Sequence, residues 1–189
     1  YRLFIWGVMN KTAYIDSHTF GVVRACIGTG MLPETVLCQS AVESGYGSSL
    51  LASKYNNYFG IKAGSSWKGD FVLLPTKEFI NGRYVTINDK FRRYSSFTAS
   101  VKDYINFLKV NARYKAVFTK TSVLGQLQAL QSAGYATDPN YANVIYGIYL
   151  SNKLQIDAQI KKAKDMLSIA LAGIGVAGYY LIRKYFLNQ

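Results

Sequence analysis

Apolar positions recur along this chain at helical spacing, with one interruption. They predict a first helix from Asp16 to Cys26, capped by Asp16 or Ser17 and stopped by Gly28 and Gly30. Pro33 suits the first turn of a second helix, which the spacing carries to about Ser44, before Gly45 and Gly47. Between residues 70 and 94 the rhythm changes. Thr76–Ile80 and Arg83–Ile87 flank Asn81-Gly82, a pair that tolerates the left-handed backbone of a tight hairpin turn, so a β-hairpin is predicted. Helical pattern resumes over Thr98–Val110, over Val123–Ala133 and from Pro139 onward. The expected fold class is α+β, mostly α.

The two ends depart from this rhythm. Residues 1–15 form an N-terminal segment whose apolar run (Leu3, Phe4, Ile5, Trp6, Val8) is too short to span a bilayer and lacks a small-residue cleavage pattern. A buried first strand or a peripheral contact is expected there. Residues 166–182 carry no charge. As a helix they would extend about 26 Å, close to the thickness of a hydrocarbon core. Lys162 and Lys164 precede them, Arg183 and Lys184 follow, and Tyr179, Tyr180 and Tyr185 suit a membrane interface. A C-terminal transmembrane helix over 166–184 is therefore expected, preceded by a helical stalk over 151–165 and followed by a tail over 185–189. The alternative is a buried helix of the main domain.

Composition narrows the chemistry. A chain of 189 residues that is 50% hydrophobic, with 16 Tyr, 10 Phe and 2 Trp, is no disordered tail. The net charge of +12 is spread rather than clustered, and no nucleic-acid motif accompanies it. A basic surface can meet nucleic acid, anionic lipid or anionic wall polymer, and without such a motif no nucleic acid is expected as partner. Two Cys and one His cannot close a zinc site, so neither metal nor cofactor is expected. Cys26 and Cys38 read as buried free thiols, and His18 as a surface or capping residue too remote to activate a thiol. Only three of the ten carboxylates are Glu: Glu34, Glu43 and Glu78. Glu34 complements the dipole at the start of its helix. Glu43 falls in the last turn, where the dipole and partial burial both disfavour ionisation, as a general acid requires. On the residues alone, a solvated helix-end Glu43 stays open.

Gln39-Ser-Ala-Val-Glu43-Ser-Gly-Tyr-Gly47 resembles the signature of the family 73 glycoside hydrolases, the endo-β-N-acetylglucosaminidases of peptidoglycan that include flagellar rod-associated hydrolases and autolysins. Asn56-Asn-Tyr-Phe-Gly-Ile-Lys62 is similar to their second block. Ser66-Trp-Lys-Gly69, Thr76-Lys-Glu78, Phe91-Arg-Arg-Tyr-Ser-Ser96 and Gly134-Tyr-Ala-Thr-Asp-Pro-Asn-Tyr-Ala142 come next in family order. The resemblance covers residues 16–150.

It implies a lysozyme-like, two-lobed domain with a small β-hairpin lobe and a groove between the lobes. Glu43 would be the catalytic acid and Glu78 the second carboxylate, acting as base if it reaches the groove; assistance by the substrate N-acetyl group is the alternative. A tyrosine of the closing block would lie beside Glu43, with Tyr135 the first choice and Tyr141 the second. Tyr46 (where the family usually has Trp), Asn57, Phe59, Trp67 and Tyr141 are the expected substrate-binding residues, with Phe59 beneath the groove and Trp67 a sugar platform or a lobe-packing residue. Asp138 is expected as a helix cap. The implied reaction is cleavage of the β-1,4 bond after N-acetylglucosamine in peptidoglycan glycan strands. Muramidase specificity, or a non-catalytic wall-binding protein, are the alternatives. The anchor would place the protein in a phage virion membrane or a bacterial cell envelope, with virion or envelope proteins as further partners.

Overall fold

The computed structural model describes residues 10–80 and 82–171, with their side chains except those of 77–80 and 171. Helix α1 (Lys11–Cys26) begins one turn earlier than the apolar spacing predicts, because Asn10 accepts the Thr12 N–H and caps it. Asp16 is therefore inside the helix. A loop leads to α2 (Pro33–Glu43), which returns antiparallel to α1, so that the Tyr14 hydroxyl near the start of α1 donates to Ser40 near the end of α2 at 2.9 Å. The loop is held from across the domain by the Gln126 side chain, which accepts from Leu32 N–H and donates to the Gly30 carbonyl.

Every residue from Thr35 to Ala41 is buried. A helix covered on all sides must satisfy its polar side chains internally, and this places Gln39 and Ser40 in hydrogen bonds to tyrosines of other elements. A short helix α3 (Leu50–Tyr55), capped by Ser49, leads to the hairpin β1 (Phe71–Ile80) and β2 (Arg83–Arg92). The hairpin pairs in register from Phe71↔Arg92 to Ile80↔Arg83, longer than the sequence predicts. Its base is fixed by three contacts: Arg92 N–H donates to the Ile61 carbonyl, Ala63 N–H donates to the Lys90 carbonyl, and the Arg92 guanidinium pairs with Asp103 at 2.7 Å. Asp103 belongs to α4 (Phe97–Val110). A 3-10 helix (Ala112–Thr119), α5 (Val123–Ser132) and α6 (Tyr141–Ser151) complete the body. Asp138 accepts the Asn140 N–H just before α6, so it shapes the entry turn.

The last helix, α7 (Lys153–Leu171), changes one expectation. Residues 151–165 were expected to form a stalk, but Ile156, Ile160 and Ala163 are buried, and Gln155 and Gln159 donate to Asp16. Their apolar spacing matches the face of α1, so this stretch is part of the core. The two helices run in the same direction: Gln155 meets Thr12, and Leu167 and Lys164 share a groove with Val23 and Cys26. Of the expected span at 166–184, residues beyond Leu171 lie outside the described ones, as do residues 1–9 and Asn81. Among the described residues no helix is long and apolar enough to cross a membrane.

His18 is also not at the surface. Its ring stacks on Tyr14 at 4.1 Å and meets Phe97 edge-on, with Nδ1 2.9 Å from the Tyr14 carbonyl oxygen. Burial lowers its proton affinity and keeps it neutral. Cys26 and Cys38 are free and buried, and burial pushes both thiols up to about 12.

Candidate active site

Glu43 is the last residue of α2, and beyond it the chain turns sharply aside. Gly45, Tyr46 and Gly47 are all left-handed, with φ of 57°, 54° and 78°. Glycine takes this conformation without strain, which explains the two glycines around the tyrosine. The Tyr46 N–H donates to the Ala41 carbonyl at 2.7 Å and closes the helix. Glu43 is thereby left at the rim of a groove of about 320 Å³, bounded by Leu51 of α3 on the helical side and by Leu74, Thr76 and Phe91 on the hairpin side.

The residue is exposed on its groove side, yet its carboxyl is crowded by protein on the other. Desolvation raises the Glu43 proton affinity above the ordinary carboxylate range, and a hydrogen bond from Tyr141 offsets part of the rise. The Tyr141 hydroxyl lies 2.8 Å from Glu43 Oε1. Behind it, Gln39 Nε2 donates to the Tyr141 oxygen at 2.8 Å, and the Tyr104 hydroxyl donates to Gln39 Oε1 at 2.6 Å. Burial keeps the Tyr104, Tyr135 and Tyr141 phenols protonated far above neutrality. The site can thus hold one proton-bearing carboxyl against a groove.

The expected residues divide clearly. Glu43 and Tyr141 come together, and their order of preference with Tyr135 is reversed. Tyr135 is half-buried behind Tyr141, their rings 5.9 Å apart, and its ring also meets Tyr104 edge-on. Helix α6 begins at Tyr141 and points that residue, not the loop tyrosine, at α2. Phe59 is buried and stacks face-to-face on Tyr104 at 4.0 Å. It supports the site from beneath and presents no open face to a sugar. Asn57 borders the groove, but its amide donates to the Ile61 and Arg92 carbonyls while its Oδ1 accepts from Ile61 N–H. Both donors are engaged in tying the hairpin base to the helical lobe, so here Asn57 serves as scaffold at the groove's edge.

Trp67 resolves toward packing: its ring lies 4.4 Å from the Arg92 guanidinium and meets Tyr94 edge-on, with Nε1 donating to the Asp70 carbonyl. Tyr46 leans edge-on against Tyr14, with the Lys11 ammonium 5.8 Å from its ring. Glu78 pairs with Val85 in the hairpin, two residues along β1 from Thr76, and its side chain lies outside the described ones. Gln39 and Tyr104 were not anticipated. Gln39 stands one turn before Glu43, a spacing visible in the sequence, whereas Tyr104 joins through tertiary packing that no local pattern announces. Among the described residues no group of three His, Cys, Asp or Glu could hold a metal.

The profile of the glucosaminidase family, described as mannosyl-glycoprotein endo-beta-N-acetylglucosaminidase, matches residues 22–154. Peptidoglycan hydrolase FlgJ of Escherichia coli (strain K12) is 39% identical over 144 residues, covering 74% of this chain and 44% of that protein. Exo-glucosaminidase LytG of Bacillus subtilis (strain 168) is 39% identical over 123 residues, covering 62% and 43% respectively. The chain therefore spans less than half the length of these curated relatives. The truncated glycoside hydrolase domain of Salmonella typhimurium FlgJ matches with a TM-score of 0.65 at 34% identity, covering 77% of this chain and 99% of that one. The catalytic domain of the autolysin Auto from Listeria monocytogenes matches with a TM-score of 0.69 at 25% identity, covering 80% and 90%. With the family profile matched over more than two thirds of its length, and with a helical body and hairpin like those of the solved domains, the chain belongs to the glucosaminidase family of glycoside hydrolases.

Proposed function

We propose that this protein hydrolyses the β-1,4 bond after N-acetylglucosamine in the glycan strands of peptidoglycan, with Glu43 as general acid. The observation that carries this reading is a carboxyl of raised proton affinity at the edge of a groove between the helical body and the hairpin. A protonated Glu43 gives its proton to the glycosidic oxygen as the bond breaks. Glu78, on the hairpin wall, is the proposed base that activates water from the opposite face. The hairpin bordering the groove is the element whose closure would bring it to the sugar. Tyr141 holds the Glu43 carboxyl, and Tyr46 is the remaining aromatic of the expected sugar contacts. Relatives named as peptidoglycan hydrolases support the substrate class.

Zymography tests the assignment: wild-type protein should clear embedded cell wall and Glu43→Gln should not. Equal clearing would sink it, and no clearing by either would favour a wall-binding role. A second reading, muramidase specificity, has one observation in its favour, a 34% identical relative from Lactococcus lactis named a probable N-acetylmuramidase. Reducing-end analysis of the digest separates the two, because N-acetylglucosamine ends fit our reading and N-acetylmuramic acid ends overturn it. We further propose that, within the expected 166–184 segment, the charge-free residues beyond Leu171 attach the domain to a lipid bilayer, since Leu167 packs against the domain itself, either in a phage particle that contains lipid or in a bacterial envelope. Recovery in purified lipid-containing particles would support the first setting, and confinement to a cell's inner membrane the second.

A further inference from the structure

We infer that Gln39 and Tyr104 are positioning residues that fix the direction of the hydrogen-bond chain ending on Glu43, and so decide which of its two oxygens carries the acid proton. The inference rests on Glu43 acting as the general acid. Neither residue can touch a sugar, since both are fully buried.

Each hydrogen along this chain has one acceptor. Tyr104 has a single hydroxyl hydrogen, and it goes to Gln39 Oε1, a carbonyl oxygen that can only accept. That contact orients the amide, so its Nε2 faces Tyr141. A nitrogen of that kind can only donate, and the Tyr141 oxygen must therefore accept from it. The one hydrogen of Tyr141 is then left for Glu43 Oε1. Oε1 accepts in every protonation state, and the acid proton resides on Oε2.

Reversing the chain would turn the amide around and leave the Tyr104 hydrogen without the acceptor it has here, in a setting closed to water. Tyr141 would then accept a hydrogen bond from a protonated Oε1, holding the acid hydrogen against the protein. The Tyr104 ring cannot swing to another acceptor, because Phe59 stacks on its face at 4.0 Å and Tyr135 meets it edge-on at 5.9 Å. Gln39, one helical turn before Glu43, keeps amide and carboxyl on one face of α2.

The experiment removes the hydroxyl farthest from the groove. Tyr104→Phe leaves Glu43, Tyr141 and the groove in place but frees the Gln39 amide. On soluble glycan strands from purified wall, kcat should fall about tenfold with KM nearly unchanged. The alkaline limb of the pH–rate profile should move to higher pH, because the Tyr141 hydrogen bond that lowers the Glu43 proton affinity is lost. Tyr141→Phe should move the limb in the same direction, and the double variant should lose no more than Tyr141→Phe alone, since Tyr104 acts only through Tyr141. Wild-type kcat and limb in Tyr104→Phe, or additive losses in the double variant, would overturn the inference. A wild-type protein that releases no sugar would instead overturn the reading on which it rests.

Discussion

Glu43 binds its proton more tightly in the folded chain than in the unfolded one, and that difference has a cost in stability. The unfolded chain releases the proton near the ordinary value of 4.5, while the folded chain holds it to higher pH. Across that interval the folded state carries more protons, so stability falls as pH rises through it and stays lowered above it. Glu43→Gln, neutral at every pH, escapes the penalty. Its melting temperature should exceed that of wild type at pH of about 8, and the gap should close near pH of about 3, where Glu43 is protonated in both the folded and the unfolded chain. A gap of equal size at both values, followed by differential scanning fluorimetry, would exclude the ionisation origin. Glu43 was legible in the sequence because its position at a helix end and its motif are local. The identity of its tyrosine was not: Tyr135 and Tyr141 share one block, and only the start of α6 determines which faces α2. The same limit hid the burial of His18, whose neighbours Tyr58 and Phe97 lie on distant segments.

The elements that build the groove differ in how much of their sequence announces them. Helices α1, α2, α4 and α5 announce themselves by apolar spacing, although the cap of α1 is Asn10 rather than Asp16 or Ser17 and α2 starts on Pro33 without a side-chain cap. The hairpin turn was legible from Asn81-Gly82, but the strands extend to Phe71 and Arg92 because Phe91 is buried and the base bonds to Ile61 and Ala63, contacts invisible to local alternation. Local pattern does not reveal α3 or the 3-10 helix, the first for its brevity and the second because its repeat differs from 3.6. Helix α7 is legible as a helix but not as part of the domain, since its charged face suggests a solvated stalk until α1 is seen to cover the other. Its core role has a direct test by chemical denaturation. Ile156→Ala should cost about 2–5 kcal/mol, as expected when a fully buried isoleucine is truncated. Leu154→Ala, at a position 89% exposed, should stay within about 0.5 kcal/mol of wild type. Equal, small effects would mean that α7 does stand apart.

At the scale of the molecule, charge and groove would address the proposed polymer in different ways. On the proposed function, a net charge of +12 would draw the protein toward anionic wall without selecting a bond, whereas the groove would select a bond without reaching beyond its walls. The two contributions separate by ionic strength. Raising salt from about 0.05 to about 0.5 M shortens the screening length to a few ångströms and should release most wall-bound protein in a sedimentation assay. The pattern of glycan ends produced should not change. Salt-insensitive retention would assign wall affinity to the groove itself.

The parallel run of α1 and α7 sets a working distance. Glu43 lies at the Lys11 end of this pair, because α2 returns antiparallel to α1 and places Tyr46 against Lys11. The described chain leaves α7 at the opposite end, beside Cys26. The sixteen residues of α1 between them extend about 24 Å. If the chain beyond Leu171 tethers the domain as proposed, Glu43 would stand that far from the attachment point. On the proposed function, the protein would then trim strands standing off a surface and spare those lying directly against it.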